Sequence, residues 1–263
     1  MDRALIGFSF DDGRKDNYTI AYPILKKYGL SSTFNITMGY IKGDLPKEHL
    51  CPADPMSVEM LREINNDPMM EIAGHGYMHQ NTLSDIVLGI TSLREILDSR
   101  LSSVGFASPG SGLKEDDYER LKCELAKQGI NYVRLSLRYR SHPLLKSYIR
   151  KASRLLPLPF LYNMAYQDTL MDDVKNGLIY SVPVLSVISV NELRSLCKTA
   201  VQKKKALVLM FHSIVENGDC RDNWDYERGK FEKFCQWLST CQKKGSLKVA
   251  TSMDIFNQLT ADK

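Results

Sequence analysis

Ala4-Leu5-Ile6-Gly7-Phe8-Ser9-Phe10-Asp11-Asp12-Gly13 decides the reading of this chain. A short, mostly apolar run that stops at turn residues reads as a buried strand, and this one delivers two adjacent carboxylates at its C-terminal end. Outward from it the same pattern recurs. Strand-like runs at Ser32–Thr37, Glu71–Gly74, Gly105–Ser108, Tyr132–Leu137, Leu178–Leu185, Ala206–His212 and Leu247–Thr251 alternate with helical spacing at Asp16–Tyr28, Ser57–Asn65, Ser84–Ser103, Lys114–Gln128, Val190–Lys203 and Arg228–Lys243. Strands and helices in alternation point to an α/β fold with a parallel sheet covered by helices. A length of 263 residues suits a closed or nearly closed β/α barrel better than an open sheet. No GxGxxG or GxxxxGK loop opens a helix, which argues against a dinucleotide fold.

In such a barrel the chemistry sits just after the strands. Phe10 leads into Asp11 and Asp12, Gly74 leads into His75-Gly76-Tyr77-Met78-His79, and Phe211 leads into His212. Three of the five histidines thus stand at strand ends; His49 and His142 lie in predicted loops and are given no role. Taken singly, each fragment has an ordinary reading. Asp-Asp-Gly is a common turn, two histidines four apart can meet by chance, and His212 could be a satisfied core histidine. Together they read differently. One carboxylate and two imidazoles make a site for Zn²⁺ or a similar divalent ion with positions left open. A second carboxylate can then serve as base and a separate histidine as acid.

Phe8-Ser9-Phe10-Asp11-Asp12-Gly13, His75-Gly76-Tyr77-Met78-His79 and Leu209-Met210-Phe211-His212 resemble the successive motifs of the polysaccharide deacetylase (carbohydrate esterase family 4, NodB-like) superfamily. The resemblance runs from residue 4 to about 256 and implies a single domain over residues 1–263, a distorted (β/α)7 barrel. It also implies metal-dependent removal of an acetyl group, usually from an amino sugar. Carried over residue by residue, it makes Asp12, His75 and His79 the metal ligands, Asp11 the general base toward the attacking water, and His212 the general acid toward the leaving amine.

Two departures stand out. Phe106-Ala107-Ser108-Pro109-Gly110 aligns with the family's third motif, and Ala107 occupies the place of an arginine that orients the base and balances its charge. The missing charge must come from elsewhere, and Arg134, on a predicted strand, is a candidate. The family's Asp/Trp motif finds no match near residues 131–141, where Tyr132, Arg134, Arg138, Tyr139 and Arg140 stand.

The formal charge of +4 is unevenly spread. Residues 125–167 hold eight of the 35 basic residues and none of the 31 acidic ones, which leaves the rest of the chain at −4. This marks a basic insertion at about 138–172. Within it, residues 143–156 read as an amphipathic helix with Lys146, Arg150 and Arg154 at four-residue intervals, ended by the apolar stretch Pro157-Leu158-Pro159-Phe160-Leu161-Tyr162. Charge runs are ordinarily solvated faces. The sharper expectation is a docking surface for an anionic membrane, through Lys146, Arg150 and Arg154, or for an anionic, glycolipid-linked or nucleotide-linked sugar. No recognisable nucleic-acid module organises these residues.

The apolar run Ala206–Phe211 is far short of the roughly 18 residues of a membrane span. Met1-Asp2-Arg3 runs straight into the first strand without the marks of a secretory signal, so a cytoplasmic, possibly membrane-associated protein is expected. Cys51, Cys123, Cys197, Cys220, Cys235 and Cys241 form no CxxC pair and suggest neither a disulfide framework nor a zinc ribbon. The function expected is hydrolytic deacetylation of an amino-sugar glycoconjugate in envelope or capsule polysaccharide assembly. The alternatives are a deformylase or other non-peptide C–N amide hydrolase on the same fold, and a catalytically idle barrel that binds glycan.

Overall fold

The structure is a computed structural model that describes residues 1–97, 101, 103–138, 143–174 and 176–261. Tyr139, Arg140 and His142 fall outside the described residues, as do residues 98–100 and 102 of the expected helix Ser84–Ser103, which is described as far as Leu97 and is no longer helical at Leu101 and Ser103. Seven parallel strands close a barrel: β1 (Ala4–Phe10), β2 (Ser32–Ile36), β3 (Met70–Gly74), β4 (Val104–Ala107), β5 (Ile130–Ser136), β6 (Leu178–Pro183) and β7 (Ala206–Phe211), with β7 pairing back to β1. The distorted (β/α)7 barrel is therefore what the chain forms.

The distortion has a specific cause. On one edge β1 pairs with β7 from Leu5 to Phe10. The other edge is shared, because Ser9 and Phe10 pair with β2 whereas Ala4, Leu5 and Ile6 pair with a further strand near the C-terminus, Leu247–Val249. That strand fills the gap where β1 and β2 diverge. A two-stranded ribbon of β8 (Ser213–Val215) and β9 (Asp225–Glu227) follows β7.

Side-chain alternation along β1 divides the core. Phe8 and Phe10 point outward onto Phe34, Phe211 and Phe231, the last on the helix Arg228–Lys243, with ring centroids 5.2–5.9 Å apart. Ser9 and Asp11 point to the opposite side, into the barrel. The interior is thus polar at its upper end, where the site lies.

The basic insertion forms two helices, Pro143–Leu155 and Pro159–Tyr166, and a short 3₁₀ turn at Gln167–Thr169. The second helix differs from the sequence expectation of a terminating apolar stretch: Pro159 sits in its first turn, where a missing N–H costs nothing. The predicted helix Asp16–Tyr28 is also divided, into a π-helical turn at Asn17–Ala21 and the α-helix Tyr22–Tyr28.

Candidate metal centre and active cleft

Asp11 extends β1 by one residue, its N–H donating to Phe211 O at 3.0 Å. Asp12 then turns into the left-handed region with φ 77°. Alternation along the strand would separate the two carboxylates; this left-handed turn is what brings Asp12 back to the same cleft. His79 also has positive φ, 58°. Two of the three candidate ligands therefore hold a conformation that non-glycine residues seldom adopt, a kind of strain that collects at functional sites.

His75 and His79 are four apart, but they converge through a loop, not a helix. Gly76 turns the chain with φ 80°, and a Cβ there would stand 2.5 Å from Asp85 Oδ2. The Asp85 carboxylate accepts the N–H groups of Tyr77, Met78 and Gln80 at 3.0, 2.7 and 2.9 Å and so fixes the loop. Asp85 belongs to the next helix, Leu83–Leu97. In the sequence it looks like an ordinary acidic residue of a first helical turn, and sequence reasoning missed it.

Asp12 Oδ1 lies 3.5 Å from His75 Nε2 and 3.5 Å from His79 Nε2. It is buried and has no hydrogen-bond partner among the described residues. The other oxygen, Oδ2, is held by Arg14, from Nε at 2.9 Å and from Nη2 at 2.8 Å, while Arg14 Nη1 donates to Ser213 Oγ at 2.8 Å. Arg14 thereby leaves Asp12 a single free oxygen, aimed at the two rings. Nothing in the sequence set this buried guanidinium apart from a surface charge.

The tautomer of His75 follows from its partner. Its Nδ1 is 2.9 Å from the carbonyl of Ala107, which can only accept, so Nδ1 carries a hydrogen. A neutral ring then turns the Nε2 lone pair toward a carboxylate oxygen, which is repulsive unless a cation lies between them. Ligands about 2.0–2.2 Å from a tetrahedral cation stand about 3.3–3.6 Å apart, so these separations fit. In the absence of a cation, burial works against charging His75, but Asp11 and Asp12 outweigh it and raise its pKa above the ordinary value. Asp12 is moved the other way. Burial favours its neutral form, yet contacts from His75 and His79, with His212 and Arg14, hold its pKa well below the usual carboxylate range. The donor set of one carboxylate and two imidazoles fits a divalent ion; the three ligand atoms lie within 4.8 Å of one another.

Asp11 is not part of that triangle, its Oδ2 being 3.9 Å from His75 Nε2. It accepts from Arg134 Nη2 at 2.7 Å and from Asn35 Nδ2 at 2.8 Å. Arg134 Nη1 donates in turn to Ser181 Oγ at 2.9 Å. Ala107 and Arg134 are register partners on β4 and β5, so the guanidinium comes from the strand next to the one that carries Ala107. Burial raises the Asp11 pKa, but Arg134, His75 and His212 together outweigh it, and the group stays ionised below the ordinary value. Asn35 on β2, which the sequence reading did not single out, also donates to Ser9 Oγ and so fixes the orientation of Asp11.

His212 leaves β7 on the far side of the cleft, its ring 4.3 Å from that of Trp224. Its Nδ1 has no hydrogen-bond partner among the described residues. Burial outweighs the pull of Asp12 and Asp11 and lowers its pKa to about 4. Asp11, Asp12, His75, His79 and His212 line one cavity of about 220 Å³ together with Arg14, Ser108 and Ser111. The structure thus brings all five predicted residues together. His49 lies on the short helix Lys47–Leu50, outside that lining.

A family model described as polysaccharide deacetylase matches residues 1–102, the segment that carries Asp11, Asp12, His75 and His79. No curated protein sequence matches the chain. Among solved structures, a Mycobacterium smegmatis protein assigned as a polysaccharide deacetylase is similar at 15% identity and a TM-score of 0.59, covering 98% of this chain and 91% of that one. The Bc1960 peptidoglycan N-acetylglucosamine deacetylase, solved with a hydroxamate-type benzamide, is similar at 10% identity and a TM-score of 0.50, covering 97% and 88%. The resemblance to polysaccharide deacetylases seen in the motifs therefore holds: in sequence for the first two motifs, and in fold for nearly the whole chain.

Proposed function

We propose that this chain is a metal-dependent hydrolase that removes an acetyl group from an amino sugar. The observation that carries the reading is the free Asp12 Oδ1 held between two imidazole Nε2 atoms, beside a second carboxylate kept ionised by its own arginine. A divalent ion, in our reading Zn²⁺, held by Asp12, His75 and His79 would acidify a water molecule and polarise the acyl carbonyl.

The chain's own groups supply the rest. Asp11, ionised and oriented by Arg134 and Asn35, accepts a proton from the attacking water. Arg134 also limits how basic Asp11 can become, so Asp11 suits a water already acidified. His212, neutral at rest because burial lowers its pKa, can hold a proton in transit and release it to the leaving nitrogen. The cavity of about 220 Å³ is open to solvent, which suits a substrate approached from the rim. The substrate class we favour is a lipid-linked or nucleotide-linked amino sugar in envelope or capsule polysaccharide assembly. The free cysteines among the described residues suit a reducing, cytoplasmic setting.

Metal analysis with two variants tests the assignment. Asp12→Ala is expected to lose the metal, and Asp11→Asn to keep the metal while losing turnover on an acetylated amino sugar. Bound metal and unchanged activity in both would overturn the roles. Turnover of an N-formyl but not an N-acetyl substrate would instead assign the site to a deformylase.

A further inference from the structure

The helix Pro143–Leu155 packs against the helix Pro159–Tyr166, which in turn packs on Val190–Lys203. The expectation that Lys146, Arg150 and Arg154 form one outward basic face is corrected here. Lys146 Nζ turns inward, 3.3 Å from Asp168 Oδ2, and donates to Met164 O at 2.6 Å. Arg150 lines a hollow beneath the helix with Lys114, Glu115, Asp116 and Tyr180. Tyr162 is likewise buried, its ring against Tyr166.

With Lys146 and Arg150 turned toward the protein, the apolar stripe faces solvent. Leu144 is 78% exposed, Tyr148 69% and Leu155 81%, and Leu145, Leu156 and Phe160 continue the ridge at more than half exposure. A surface helix of a globular protein normally buries this stripe, and a contiguous exposed apolar ridge marks an interaction site. The segment that carries it is one-sided in charge. Arg154 and Lys151 are exposed beside it, and residues 125–167 contain no carboxylate.

We propose that this hairpin docks the protein onto an anionic membrane surface. Leu144, Leu155 and Phe160 enter the boundary between headgroups and acyl chains, and Lys151 and Arg154 meet lipid phosphates. Charge complementarity selects this occupant over a second copy of the chain, which would set the same cations against each other. Among the described residues no helix is long and apolar enough to cross a membrane. The hollow under the helix shares Ser111 with the catalytic cleft. Arg150 of the ridge-bearing helix thus lines a hollow that adjoins the cleft. That a lipid-linked sugar is presented there rests on the deacetylase reading; the docking itself does not.

The test is flotation of the full chain with vesicles of phosphatidylcholine, alone or mixed with phosphatidylglycerol. Binding to the mixed vesicles is expected to be tighter by on the order of tenfold or more and to weaken with salt. Leu144→Glu with Leu155→Glu is expected to abolish it, with the circular dichroism spectrum and activity on a water-soluble acetylated amino sugar unchanged. Lys151→Glu with Arg154→Glu is expected to remove the preference for anionic lipid. Equal binding to both vesicles, or binding to neither, overturns the proposal. So does a solution dimer that the double leucine variant dissolves, which would give the ridge to a second copy. Vesicle binding as expected with no activity on any soluble amide would uphold docking and sink the deacetylase reading alone.

Discussion

Arg134 Nη2 lies 2.7 Å from Asp11 Oδ2, a contact that crosses the barrel interior from β5 to β1 with both side chains buried. The charge that keeps Asp11 ionised is thus supplied one strand away from Ala107, the position where the resemblance to polysaccharide deacetylases would place it. Register partners on parallel strands point to the same side, so the two positions reach the same interior space from adjacent strands. What the departure at Ala107 removes, Arg134 restores.

Arg134→Ala is expected to leave Asp11 buried without its counter-ion. Breaking a buried pair in this way costs about 3–5 kcal/mol of stability, and the Asp11 pKa rises because burial then acts with less opposition. The acidic limb of the pH–activity profile should move to higher pH. Combining Arg134→Ala with Ala107→Arg should return part of that shift. Lost stability with an unmoved limb would reduce Arg134 to a structural role.

Arg14 makes a different kind of contact, binding Asp12 through two nitrogens and anchoring to Ser213 on β8. It fixes which oxygen of Asp12 is free. Arg14→Ala should therefore weaken metal binding by about 10–100-fold, as loss of an outer partner of a ligand commonly does. Arg14→Lys should recover little, because an ammonium cannot reproduce the planar two-point contact. Competition with a coloured chelator reads the affinity directly; unchanged affinity in both variants would show that Asp12 needs no such anchor.

The loop between His75 and His79 depends on one carboxylate. Asp85→Ala removes the acceptor for three backbone N–H groups. We expect a stability loss of about 2 kcal/mol and a fall in metal affinity through His79, with β3 intact. Hydrogen exchange at Tyr77, Met78 and Gln80 should rise selectively. Protection unchanged at these three amides would show that the loop is held by something else.

These residues also show what could be read from the chain. Asp11, Asp12, His75, His79 and His212 were legible because each stands at a strand end or in the loop that directly follows one, and that is a local pattern. Asn35, Arg14, Ser213 and Asp85 were not, since their roles arise from contacts whose geometry only the closed barrel defines. Arg134 was legible as a candidate for the charge missing at Ala107, and the closed barrel brings it to Asp11 from 123 positions away. The helix Pro143–Leu155 shows a further limit. Periodicity told which residues share a face, but not which face looks inward, and the pairing of Lys146 with Asp168 decided that.

His212 gives a pH signature that separates it from the other site groups. Burial lowers its pKa to about 4, against a value near 6.5 in the unfolded chain. Between these two values the unfolded chain holds a proton that the folded chain does not, so stability increases with pH. The contribution is complete above about pH 6.5, declines as the pH falls, and is lost by about pH 4, amounting to about 3 kcal/mol at most across the window. His212→Gln has no such proton to bind. In urea denaturation of the chelator-treated proteins, the wild type should therefore lose more stability than His212→Gln between about pH 6.5 and about pH 4.5. Parallel curves would mean that the folded ring takes up its proton as readily as the unfolded one. A histidine of that kind would enter the cleft already charged, and the proton-in-transit role given to His212 would have to be replaced by that of a standing cation.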